Sequence, residues 1–149
     1  MAVKPIPEGY HTVTPYLVAR DAAKVLEFAR QAFGAQVVEE MRRPDGSIWH
    51  AEFAIGDSRI MVGQASEQHQ AMPSTLYVYV PDTDGTYKRA LGAGGVSTME
   101  PADQFYGDRN AGVRDPAGNI WFIGTHIEDV SAAEMHRRAQ EAMRQRSQA

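Results

Sequence analysis

DPAGNIWFIG, residues 115–124, reads as a tight turn feeding a short apolar strand. Pro116 fixes φ and Gly118 is free to take positive φ, so Asp115-Pro116-Ala117-Gly118 closes a hairpin. In the strand that follows, alternation sends Trp121 and Ile123 to one face and Phe122 and Gly124 to the other. Working back from the turn, NAGVR and VSTMEP are two further strands, and STLYVYV, residues 74–80, is a third. Between them Asp82 or Thr83 caps a helix containing Tyr87, Ala90 and Leu91, which Gly92, Gly94 and Gly95 end. This half of the chain reads β-α-β-β-β.

The first half reads the same way. TVTPYLVA, residues 12–19, is a β-branched and aromatic strand in which Pro15 marks an edge or an end. Asp21 is a plausible N-cap, AAKVLEFARQAF sets Val25, Phe28, Ala29 and Ala32 at helical spacing, and Gly34 stops the helix. Three short strands follow, separated by the turns Pro44-Asp45-Gly46 and Gly56-Asp57-Ser58. A shift of 61 residues superposes Thr14 on Thr75, Tyr16 on Tyr77, Asp21 on Asp82, Gly34 on Gly95, Met61 on Phe122 and Gly63 on Gly124. Coincidences that share one offset identify an internal repeat, against the alternative of two unrelated α+β halves.

Strand parity then assigns faces. Ala51, Phe53 and Ile55 form the apolar, helix-facing set of SIWHAEFAIG, and Trp121 and Ile123 do so in the last strand. Thr14, Tyr16, Met61, Thr75, Tyr77, Tyr79 and Phe122 share the opposite face with His50 and Glu52. If the two sheets curl toward each other, that face lines a cavity.

Composition narrows the function classes. At 149 residues, 43% apolar and 23% charged, the chain has the size of one globular domain. A net charge of −4 argues against a grip on phosphate backbones. The absence of cysteine excludes disulfides, thiolate zinc sites and cysteine nucleophiles. The N-terminal segment has no continuous apolar core of the secretory kind, and no run approaches the roughly 18–20 apolar residues that cross a bilayer. The expectation is a cytoplasmic protein with neither nucleic acid nor membrane as partner.

TPYLVARDAAKVLEFARQAFGA, HAEFAIGDSRIMV and YGDRNAGVRDPAGNIWFIGTH together resemble the vicinal oxygen chelate superfamily of glyoxalase I, bleomycin resistance proteins and extradiol dioxygenases, and within it the PhnB-like branch. The resemblance covers residues 9–128 and implies an α+β fold. Two βαβββ modules, about 9–68 and 73–128, would form a curved mixed eight-stranded sheet around a cavity, with helices on the convex face. It also implies a homodimer. Residues 129–149 lie outside it as a helical tail.

The superfamily's metalloenzymes keep His, Gln or Glu ligands on the first and fourth strands of each module. The matching positions here hold Thr14, Met61, Thr75 and Phe122, none a competent ligand for a divalent cation. The expectation is a small-molecule binding protein of the glyoxalase/bleomycin resistance type with no metal or other cofactor. The alternative is a metal-dependent lyase, isomerase or dioxygenase with displaced ligands.

His50 and Glu52, two apart on one face, are the catalytic candidates: a relocated half-site, a general base with its orienting partner, or a hydrogen-bonded wall pair. Thr14, Tyr16, Met61, Thr75, Tyr77, Tyr79 and Phe122 are the candidate ligand wall, suited to a flat aromatic molecule or simply to filling a core. Arg109 can clamp a carboxylate, or pair with Asp108 or Asp103 to order its loop. His11, His69, His126 and His136 read as solvated. In the tail, Ser131 to Glu134 form a capping box, and the helix after it packs on a partner, packs across its own domain, or frays.

Overall fold

The structure is a computed structural model and describes residues 2–148. The chain runs β1 (Tyr16–Ala19), α1 (Ala22–Phe33), β2 (Gln36–Arg42), β3 (Ile48–Ile55), β4 (Ser58–Gln64), β5 (Thr75–Tyr79), α2 (Thr83–Gly92), β6 (Val96–Asp103), β7 (Asp108–Arg114), β8 (Ile120–His126) and α3 (Ala132–Gln148). The eight strands divide into two four-stranded mixed sheets, β1-β4-β3-β2 and β5-β8-β7-β6. In each, the first strand runs parallel to the fourth and the remaining pairs are antiparallel.

The repeat is exact in register. Tyr16 pairs with Met61 and Tyr77 with Phe122, so the offset of 61 relates both partners of both pairs. Pro15 brings β1 to its start: it has no N–H to give the ladder, while its carbonyl still accepts from the Met61 N–H at 2.9 Å.

Caps follow the sequence in one helix and not in the other. Asp82 accepts from the Gly85 N–H at 3.1 Å at the start of α2. Asp21 holds the extended backbone of an N-cap, yet its side chain caps nothing. The Gln64 Oε1 at the end of β4 accepts the Ala22 N–H instead, at 3.0 Å, tying α1 to the sheet beneath it. Gly34 ends α1 at φ 66°, a left-handed value that glycine reaches at no steric cost.

The helices cover one face of both sheets. Ala51, Phe53 and Val62 from the first module and Trp121, Ile123 and Val113 from the second are all buried there. Trp121 joins the modules, its ring 5.9 Å from that of Phe28 and 5.1 Å from that of Phe33, both on α1. Arg89 of α2 donates to the Ala32 carbonyl of α1. One continuous core results, and both sheets leave their other face open. The β7–β8 turn is fixed by a buried carboxylate: Asp115 accepts from the N–H groups of Ala117 and Asn119, from Asn119 Nδ2 and from Trp121 Nε1, at 2.8 to 3.0 Å. No helix among the described residues is long and apolar enough to cross a membrane.

Candidate functional site

On the open face of the second module, alternation along β7 turns Asp108 and Asn110 inward, beside Tyr77 and Phe122. Asp108 is 4% exposed. Its Oδ2 accepts from the hydroxyls of Tyr77 and Tyr79 at 2.7 and 2.9 Å, and its Oδ1 faces His126 Nδ1 at 3.0 Å. Burial alone would raise its pKa, but the hydrogen bonds from Tyr77, His126 and Tyr79 outweigh it and hold the carboxyl below the ordinary range. Burial and the same carboxylate push the Tyr77 hydroxyl well up, so it stays protonated as a donor.

Because the one proton of Tyr77 goes to Asp108, the Asn110 atom facing its oxygen must be the Nδ2 donor, which lies 3.1 Å away and also donates to Tyr106 at 2.5 Å. Asn110 is 1% exposed, and its Oδ1 finds no partner among the described residues. A buried acceptor left unpaired costs about 1–3 kcal/mol. A cavity of about 570 Å³ opens here, walled by Tyr77, Met99, Phe105, Tyr106 and Phe122, with Asn110 on its lining. The rings of Tyr77 and Phe122 stack at 6.0 Å and 27°. Helix α3 forms the remaining wall through Ala142, Gln145 and Arg146. It is anchored by Arg138, which donates to Glu128 at 2.7 Å and to the Phe105 carbonyl at 3.0 Å. Half of the expected capping box forms, as the Glu134 N–H donates to Ser131 Oγ. Of the open alternatives for the tail, the structure takes the one across its own domain.

The open face of the first module carries a different cluster. His50 Nε2 lies 3.5 Å from Glu52 Oε2 and its Nδ1 3.4 Å from the Tyr16 hydroxyl. The Tyr10 hydroxyl donates to Glu52 Oε1, and burial together with that carboxylate pushes its pKa up to about 12. Tyr16 and His50 line a second cavity of about 460 Å³ with Met41, Trp49 and His69.

The expected ligand wall is thus distributed. Tyr77 and Phe122 share the first cavity, and Tyr16 and His50 the second. Thr14 meets Tyr77 and Tyr79 in a third, of about 600 Å³, between the edges of the two modules. Met61, Thr75 and Glu52 lie on none of these walls. The single shared hollow read from parity is corrected to three, because parity assigns a face but not how two sheets are set beside each other. Of the two readings of Arg109, the structure takes the pairing with Asp103, not with Asp108, and adds Asp84. The alternation that turns Asp108 inward sends Arg109 to the helix side, where it grips Asp84 at the start of α2 with two bonds of 3.0 Å and reaches Asp103 at 3.0 Å. It is a brace between β7, β6 and α2, turned away from the open face.

Residues 10–123 match the sequence profile of the Glyoxalase/Bleomycin resistance protein/Dioxygenase superfamily. The chain belongs to this superfamily. An uncharacterized protein of Mycobacterium bovis is 31% identical over 134 residues, which cover 83% of this chain and 88% of the relative. Among solved structures, TioX from Micromonospora sp. ML1 shares the fold with a TM-score of 0.68 at 23% identity, covering 78% of this chain and 99% of its own. The PhnB protein from Bacillus cereus, titled a putative 3-demethylubiquinone-9 3-methyltransferase, does so at 0.58 and 16% identity, covering 77% and 99%.

The superfamily's usual metal finds no matching donors here. The positions matched to its ligands hold Thr14, Met61, Thr75 and Phe122, which offer neutral hydroxyl, thioether and phenyl groups. Among the described residues no three His, Asp or Glu side chains are grouped to hold a cation. The donor set and the superfamily's metal do not fit, and no chemistry through a metal is derived for this chain.

Proposed function

We propose that this superfamily member is a cytoplasmic, homodimeric binding protein for a flat aromatic small molecule, held without a metal in the cavity between the open face of the second module and α3. The observation that carries the reading is the Tyr77–Phe122 stack beside a buried Asn110 with an unspent acceptor, an apolar wall with one fixed polar group. Exposed Tyr16 and Trp49 on the first module, with exposed Met72 bridged to Val18 of β1, support a partner surface. A thermal-shift and calorimetry screen of planar aromatic metabolites is the test, since a ligand of the native state stabilises it by mass action. Binders are expected to lose about tenfold or more in affinity in Phe122→Ala, by loss of ring contact. Ligands that bind Phe122→Ala and the wild type equally would refute the site.

A second reading, metal-assisted chemistry at His50 and Glu52, is supported by their shared, mostly buried pairing. Titration of untagged protein with nickel, cobalt and manganese separates the two. No saturable site is expected, and stoichiometric uptake abolished by His50→Ala would install the second reading.

A further inference from the structure

Helix α3 carries four arginines, and three of them are neutralised. Arg137 pairs with Glu134, Arg138 with Glu128 and Glu134, and Arg144 with Glu141. The fourth, Arg146, pairs with no described residue and lines the aromatic cavity, where it is the one charged side chain among the described lining residues. Among the described residues no carboxylate pairs with this guanidinium, whose planar fork matches a carboxylate in two-point geometry. The last turn of α3 contributes the negative end of the helix dipole, about half a unit charge, which a full charge on Arg146 exceeds. Near that wall lies the unsatisfied Oδ1 of Asn110, an acceptor whose amide is fixed by the Tyr77–Asp108 hydrogen bond.

We propose that the ligand class is a planar aromatic acid, its anionic group gripped by Arg146 of the C-terminal helix, its ring on Tyr77 and Phe122, and a hydroxyl or N–H donor satisfying Asn110. The inference rests on the aromatic-pocket reading and adds charge and polarity to it. It makes α3 part of the binding site, with Arg146 as its specificity residue.

The test is calorimetry on the full chain with three matched probes: 6-hydroxy-2-naphthoate, 2-naphthoate and 2-naphthol. Wild-type protein is expected to bind the hydroxy acid most tightly, 2-naphthoate several-fold more weakly, and 2-naphthol about tenfold or more below the hydroxy acid. Arg146→Ala, at an exposed position of the last helical turn, is expected to bring the hydroxy acid and 2-naphthol to within about twofold of each other. Arg146→Lys is expected to restore part of the preference. If 2-naphthol binds and the acids bind no better, or if Arg146→Ala leaves their ratio intact, the clamp is overturned while the pocket stands. If 2-naphthoate equals the hydroxy acid, the Asn110 contact is overturned. Failure of all three to bind removes both the clamp and the reading beneath it.

Discussion

The hydroxyl oxygen of Tyr77 lies 2.5 Å from the place a Cβ on Gly124 would occupy, so the tyrosine crosses the neighbouring strand only because that strand carries no side chain there. Tyr16 stands over Gly63 in the same way. The two are not equally tight. Ring atoms of Tyr77 would meet the new methyl at 2.7 and 2.8 Å, those of Tyr16 at 3.1 Å. Tyr77 is also held by Asp108 and Asn110, whereas Tyr16 has one long contact with His50 and is 52% exposed. Gly124→Ala is therefore expected to destabilise by about 1–3 kcal/mol. In Gly63→Ala the ring swings into solvent, and the entropy gain of about 0.4–1 kcal/mol leaves the change near zero. Equal shifts of the urea midpoint in the two variants would sink this account.

Asp108 concentrates the polar order of that face, so its loss should be felt by three partners at once. Asp108→Asn retains one acceptor oxygen for the two tyrosines and turns an amide N–H toward His126. The expected loss is about 1–3 kcal/mol in urea unfolding, larger near pH 6 than near pH 8 because a protonated imidazole then faces a donor. A loss with no pH dependence would mean that Asp108 and His126 are not coupled.

His126 gives the wild type a pH profile with a definite sign. Asp108, and after it Asp129, raise its pKa above the ordinary 6.5. The folded chain then holds the proton more tightly than the unfolded one, so the stabilisation is complete below 6.5 and fades as pH rises through the folded value. Asp108 runs the other way. Its lowered pKa stabilises above the unfolded carboxyl value of about 3.9 and is lost as acid titrates through the folded one. Melting temperature should thus decline as pH rises from 6.5 through the folded value, and His126→Gln should flatten that decline. Parallel profiles for the two proteins would exclude the ion pair as its cause.

What was legible in the sequence follows from what repeats or alternates. The offset of 61 could be read because each tyrosine over a glycine needs both residues at one spacing, which leaves a trace in the string. Phe53, Trp121 and Ile123 fell on the helix side by parity alone. His126 reads as solvated when taken alone, although the hairpin holds the answer: counted outward from the Asp115–Gly118 turn, the register sets Asp108 opposite His126 and Asn110 opposite Gly124. Asp103 is near enough in sequence to be named as a partner of Arg109, whereas Asp84 is not, since it comes from α2 and its approach depends on packing. Nor is the division of the expected wall among three cavities legible, because no local pattern encodes how one module is set against the other.

The turn that opens the final strand makes the last prediction. Asp115 is 3% exposed, and its two oxygens accept four hydrogen bonds, one of them from the indole of Trp121. Asn119 passes the order on, its Oδ1 accepting the Ser74 N–H at 2.9 Å at the start of β5. Asp115→Asn changes hardly any volume but replaces Oδ2 with an N–H group facing the donors of Trp121 and Asn119. Two donors in contact cannot both be satisfied, and a loss of about 2–4 kcal/mol is expected. Asp115→Ala removes all four bonds and should cost at least as much. Urea unfolding followed by tryptophan emission reads both the stability and the indole environment. An Asp115→Asn protein with wild-type stability and an unshifted Trp121 contribution would show that the hairpin's geometry comes from Pro116 and Gly118 alone.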